Sequence, residues 1–290
     1  MDPFQPKDKG QRTPGDALDN NLSYAQTIGR TLEWICRNHP EWTPAAVEVR
    51  RAELSRWVWQ QHGQQVAHGP FKGLRLMDGL QWGEADKGVM CLGLYEREVV
   101  DDILALPTRI THFIEIGAAD GYYGIGLLLS GRFQRSTCFE TEAQSRQILA
   151  HNARLNGVAA RIRILGEAGP SFHEELDPRD LRDAVLLVDV EGREFDLLGE
   201  ASFLALSDCV IYIELHDWFH PDGMQRLERL RRCCSATHTW REIRTGARDL
   251  GQFPELDVLC DSDRWLLCSE GRARAMKWAR LDPIAHTAVP

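Results

Sequence analysis

From position 112 onward, short apolar runs alternate with longer stretches of helical periodicity, and few folds accept that pattern. Strands are expected at 112–116, 136–140, 161–165, 184–189 and 209–215. Helices are expected from about 123 to 130, then over 142–156, 193–199 and 221–234. Two late strands are read at 239–244 and 264–269. The run from Ala184 is apolar almost to its end, as in a central parallel strand buried on both faces. Strand–helix alternation implies right-handed crossovers and an α/β, doubly wound, mostly parallel sheet with helices on both faces. Such sheets bind ligands beyond the carboxyl ends of their strands, so the residues following each strand carry the most weight.

Before the alternation lies a different texture. Residues 1–21 are rich in Pro, Gly, Asp and Lys and read as a flexible tail. Residues 22–106 read as an N-terminal helical extension followed by a Gly-rich segment that includes Phe71, Leu74, Leu76 and Trp82. The helical part carries Trp34, Trp42, Trp57 and Trp59, a stripe suited to packing, a lid or a homodimer surface. The α/β domain is placed at 107–270, and 271–290 is read as a C-terminal tail.

Composition removes several functions. There are 34 Lys and Arg against 43 Asp and Glu, a net charge of −9, so bulk phosphate neutralisation is disfavoured and no nucleic-acid partner is expected. No run approaches the roughly 18 apolar residues of a membrane span, and the N-terminus has no signal-peptide core. None of the eight cysteines forms a Cys-x-x-Cys pair, so buried free thiols in a cytoplasmic protein are expected.

The most informative stretch is Phe113-Ile114-Glu115-Ile116-Gly117-Ala118-Ala119-Asp120-Gly121-Tyr122-Tyr123-Gly124. An apolar strand enters a turn with two glycines and then a helix, whose first N–H groups can hold an anionic group. The Gly-x-x-x-Gly spacing is not the Gly-x-Gly-x-x-Gly of a dinucleotide site. Asp120, inside the turn, suits a cationic ligand better than a pyrophosphate. Glu140 ends the second strand, where an acid accepts hydrogen bonds from ribose hydroxyls.

Together these features resemble the class I S-adenosylmethionine-dependent methyltransferases, whose first motif is similar to Glu115-x-Gly117-x-x-x-Gly121 and whose second strand ends in an acid like Glu140. Two further runs, Leu187-Val188-Asp189-Val190-Glu191-Gly192-Arg193-Glu194 and Ile211-Tyr212-Ile213-Glu214-Leu215-His216, resemble the FkbM-like family. The likeness extends from about Leu94 to Cys268. It implies a Rossmann-like sheet of seven strands with an antiparallel last strand.

The resemblance also implies roles. Glu115, Gly117, Asp120 and Gly121 would wrap the amino-acid part of S-adenosylmethionine, Glu140 would take the ribose, and Glu167 would lie near the adenine. Asp189, Glu191 and His216 compete for the role of base, with Glu191 and Glu214 also suited to fixing their loops. Tyr122, Tyr123 and Trp218 are candidates for the acceptor pocket. By analogy, the reaction would be O-methylation of a hydroxyl on a sugar, polyketide or other small molecule. Asp189, Glu191, Glu214, His216 and Asp217 include donors for a divalent metal, but their spacing does not demand one and no metal ligand is assigned. The competing expectation is a non-catalytic interaction module that binds the cofactor on the same fold.

Overall fold

The computed structural model describes residues 24–284 apart from 41, 78–82 and 273. The expected tail at 1–21, Trp82 and the last residues from 285 lie outside the described residues. The chain divides into two compact units, Met1–Arg51 and Ala52–Pro290. The first holds α1 (Tyr24–Asn38) and the start of α2 (Trp42–Gln61). Among the described residues, no helix is long and apolar enough to cross a membrane.

The second unit continues with α3 (Lys87–Cys91) and α4 (Arg97–Leu104), then β1 (His112–Ile116), α5 (Tyr122–Leu129), β2 (Arg135–Phe139), α6 (Ala143–Leu155) and β3 (Ile162–Leu165). It goes on through α7 (Pro178–Leu181), β4 (Ala184–Val188), α8 (Glu194–Leu197), α9 (Glu200–Ala205), β5 (Val210–Glu214) and α10 (Gly223–Cys234). The last elements are β6 (His238–Arg244), α11 (Asp261–Leu267) and β7 (Lys277–Pro283).

The strands form one seven-stranded sheet in the order β3-β2-β1-β4-β5-β7-β6. The first five are parallel, and β7 runs antiparallel to both β5 and β6. This is the expected Rossmann-like, mostly parallel sheet with an antiparallel last strand. Side chains alternate across it. Phe113, Val185, Leu187 and Tyr212 join one core with residues of α3 to α6 and the Gly-rich segment. Ile114, Ile116, Leu186, Val188, Ile211 and Ile213 join a second core with residues of α7 to α10. Residues of β1, β4 and β5 are buried throughout, which accounts for their uninterrupted apolar runs. The Gly-rich segment caps the first core: a Cβ on Gly126 of α5 would stand 2.5 Å from the Phe71 ring.

The chain end departs from expectation. The stretch read as a strand at 264–269 lies mostly in the helix α11. A short apolar run such as Trp265-Leu266-Leu267 fits either state, and Asp261 and Asp263 in the first turn favour a helix start. The last strand is β7, in the stretch assigned to the C-terminal tail. It fills the gap between β5 and β6 and buries Trp278, Ala279 and Leu281.

Candidate active site

The sheet places the turns after β1 and β4 side by side, where the crossovers change face. Gly117 has φ +92°, and a Cβ there would lie 1.7 Å from the carbonyl oxygen of Asp189. The Asp189 N–H in turn donates to the Ile116 carbonyl at 3.0 Å. Only glycine allows the two strand ends to approach this closely. Gly121, φ +91°, caps the start of α5, where a Cβ would meet Leu149 at 2.3 Å.

Glu140 fastens the turn from the neighbouring strand. One oxygen accepts the Ala119 N–H at 2.8 Å and the other the Glu142 N–H at 2.8 Å. Ala119 itself sits at φ +44°, a conformation that L residues hold only when their surroundings fix it. Each Glu140 oxygen keeps a lone pair for a further donor. Glu115 works from beneath: its buried carboxyl accepts the Gly124 N–H at 3.0 Å and contacts the Cys138 thiol. Burial raises its pKa well above the ordinary range.

Asp120 is partly buried between β1 and α5, and its main chain is held by Asn152 Nδ2 at 2.9 Å. Desolvation pushes its carboxyl up to about 6, partly offset by the Tyr122 N–H and the charge of Lys87. Gly117, Asp120, Gly121 and Glu140 therefore surround a single turn. Glu167, after β3, is half exposed and pairs with Arg193 at 2.7 Å.

A second group gathers at the carboxyl ends of β4 and β5. Asp189, Glu214 and His216 bring one donor atom each within 4.8 Å of one another. His216 Nε2 lies 3.5 Å from Glu214 Oε2 and 3.3 Å from Glu191 Oε2. Glu194 accepts the His216 backbone N–H at 2.7 Å. Glu214 and Glu194 are fully buried, and desolvation raises both, Glu194 to about 7. Burial lowers the pKa of His216 against the opposing pull of Asp189. Glu191 occupies a left-handed conformation, φ +50°, at the exposed edge of the group.

The aromatic candidates separate. Tyr122 and Tyr123 are buried in the first core, each edge-on to Phe71. The Tyr123 hydroxyl donates to Glu96 at 2.7 Å. Trp218 is half-buried beside His216, with its ring 4.0 Å from that of Phe219 and the Arg274 guanidinium 5.4 Å away.

Two residues given no role in the site by the sequence reading complete it. Arg272 donates to Glu214 at 3.0 Å and pairs with Glu96 and Glu270. Glu96 is buried before α4, and desolvation raises it to about 8 despite Arg272. The only local signal for either was the Tyr95-Glu96 pair after the Gly-rich segment.

No family model matches the chain, and no curated protein matches it. Several solved structures show a distant similarity to it. An O-methyltransferase from Bacillus cereus in complex with SAH is 12% identical, covering 79% of this chain and 90% of its own, with a TM-score of 0.43. A ribosomal protein L11 methylase from Lactobacillus delbrueckii is 11% identical, covering 72% and 83%, with a TM-score of 0.44. A protein of the NADB-Rossmann superfamily from Streptococcus agalactiae is 13% identical, covering 63% and 67%, with a TM-score of 0.41.

Proposed function

We propose that this chain is an S-adenosylmethionine-dependent methyltransferase of the FkbM-like kind, acting on a hydroxyl oxygen of a small molecule such as a sugar or polyketide. The observation that carries this reading is the Glu140-latched turn at Gly117–Gly121, set against the Asp189 and His216 edge across the β1–β4 junction. Turn amides and Asp120 suit the zwitterionic amino-acid part of the cofactor, and the spare lone pairs of Glu140 suit ribose hydroxyls. Glu167 belongs to the adenine end.

The sulfonium methyl is already activated, so the protein's work is to align the acceptor behind it. Bound there, S-adenosylmethionine would supply the methyl carbon, its carbon–sulfur electron pair leaving on a neutral thioether as the acceptor oxygen takes that place. The hydroxyl proton passes to a base at this edge. Asp189, Glu191 and His216 are the candidates for that base, and Trp218 is the candidate for an adjoining aromatic wall.

Calorimetric titration with S-adenosylmethionine, S-adenosylhomocysteine and NAD tests the reading. One-to-one binding of both adenosyl ligands but not NAD is expected, followed by transfer of labelled methyl to hydroxylated acceptors. Binding of NAD alone, or of none, would overturn it.

A further inference from the structure

The geometry points to a binding site for one Zn2+ ion formed by His62, His68 and Glu255. It is independent of the methyltransferase reading and uses none of the residues assigned there to cofactor or acceptor. The three residues bring one donor atom each within 4.8 Å of one another. Both imidazoles turn Nε2 toward the same carboxylate oxygen: Glu255 Oε1 lies 3.6 Å from His62 and 2.5 Å from His68. Ligands about 2.0–2.1 Å from a tetrahedral Zn2+ stand roughly 3.3 Å apart, so the first separation needs little adjustment. The second is a hydrogen bond, which opens by about 1 Å as the ion takes the place of the shared proton.

Packed backbone holds all three ligands. Gly63 and Gln64, directly after α2, both take left-handed conformations, φ +66° and +60°. Glutamine adopts such a conformation only where its surroundings fix it. The bend folds the chain back, so that the His62 and His68 rings lie 5.8 Å apart, edge to face. The His68 N–H donates to the Cys91 carbonyl at 3.1 Å, and its ring stands edge-on to Phe253 at 5.1 Å. A Cβ on the next residue, Gly69, would lie 3.0 Å from the Gly93 Cα, so the chain beside His68 has no room to shift. Glu255 rides on a short turn, Pro254–Val258, seated by the buried Phe253 and Leu256. Ligands already held in place lose little freedom when an ion binds, which favours affinity.

Two imidazole nitrogens and one carboxylate oxygen favour Zn2+ over Mg2+ or Ca2+, which take oxygen ligands. Cys91 adds no sulfur to the set: its buried thiol donates to the Gln65 carbonyl at 3.5 Å. All three ligand side chains are partly exposed, so an ion enters from solvent and water fills the fourth position. Once bound, the ion would cross-link the turn after α2 to the Pro254–Val258 turn, with 187 positions between His68 and Glu255.

Competition with a chromophoric chelator measures the Zn2+ affinity of the full-length protein. One ion per chain is expected, with a Kd on the order of micromolar or tighter. His62→Ala, His68→Ala and Glu255→Gln should each weaken it at least tenfold, and His151→Ala, at an exposed histidine outside the cluster, should leave it unchanged. Zn2+ at about 100 times its Kd should raise Tm by at least about 3 °C, a rise that Glu255→Gln should abolish. Glu255→Gln keeps the shape of the side chain and serves if a histidine variant does not fold. No binding at about 100 µM Zn2+ would overturn the site. So would binding that survives all three substitutions and is lost instead with Cys36→Ser or Cys260→Ser, at the two exposed thiols.

Discussion

The carboxylate of Glu140 and the backbone N–H of Ala119 are joined at 2.8 Å, tying the end of β2 to the turn that follows β1. With its other oxygen on the Glu142 N–H, this side chain positions two backbone segments before any ligand arrives. Glu140→Ala should therefore have two effects. Loss of two charge-assisted hydrogen bonds should lower stability by about 2 kcal/mol. S-adenosylhomocysteine affinity should fall at least 100-fold, because the proposed ribose acceptor and the shape of the turn go together. Glu140→Gln keeps one acceptor oxygen and should fall between. Denaturant unfolding and calorimetry read the two effects separately; an affinity unchanged in the alanine variant would remove Glu140 from the binding site.

Asp120 gives the site a pH dependence whose sign can be worked out. Burial raises its carboxyl to about 6 from an ordinary value of 3.8, so the folded protein holds that proton more tightly than the unfolded chain does. Its contribution to folding is complete below about 4 and is lost as pH rises through about 6. Binding runs the other way. A cofactor ammonium needs the carboxylate, so affinity should rise roughly tenfold between pH 5 and 7 and then level off. Asp120→Asn should flatten this profile while raising stability near pH 7. A wild-type affinity that stays constant over the same range would place the ammonium elsewhere.

The sheet was legible because its signals are local. The apolar runs of β1, β4 and β5 are each buried on both faces, and Gly117 of the first turn sits where the ends of β1 and β4 touch. Arg272 was not legible, because its partner Glu96 lies 176 positions away and nothing near Arg272 marks the pair. β7 was missed for a related reason. Lys277–Pro283 mixes charged and apolar residues, and pairing with β5 and β6 supplies the order its sequence pattern does not announce. Tyr122 and Tyr123 teach a different lesson. They head a helix that is apolar almost all round, Tyr122–Leu129, and such a helix is buried. The cue for packing was present, but their place after a strand end drew the pocket reading.

Two glycines make an internal comparison. Gly117→Ala would force a Cβ to 1.7 Å from the Asp189 carbonyl at a φ of +92°. Strain of about 1–3 kcal/mol from the backbone alone, plus displacement of β4, should lower Tm by more than about 5 °C. Gly166, after β3, has nothing within 4 Å of a built Cβ and no positive φ, so Gly166→Ala should leave Tm nearly unchanged. Thermal unfolding of both free proteins checks the pair; equal behaviour would mean that the β1–β4 contact is looser than described.

Arg272 carries the charge balance of the buried edge. Glu96 and Glu214 are 4% and 0% exposed, and this one guanidinium serves both. Burial raises the Glu96 carboxyl to about 8, so near pH 7 replacing Arg272 with Met removes hydrogen bonds rather than stranding two full charges, and should cost about 1–3 kcal/mol. The cost should grow as pH rises through 8, where the wild type ionises Glu96 beside its guanidinium and the variant has no cation to favour that charge. Glu96→Gln should remove this pH dependence in the wild type and in the Arg272→Met background alike. Denaturant unfolding of the single and double variants near pH 7 and near pH 9 checks it; a cost that stays constant over that range would mean that Arg272 acts through Glu214 and Glu270 alone.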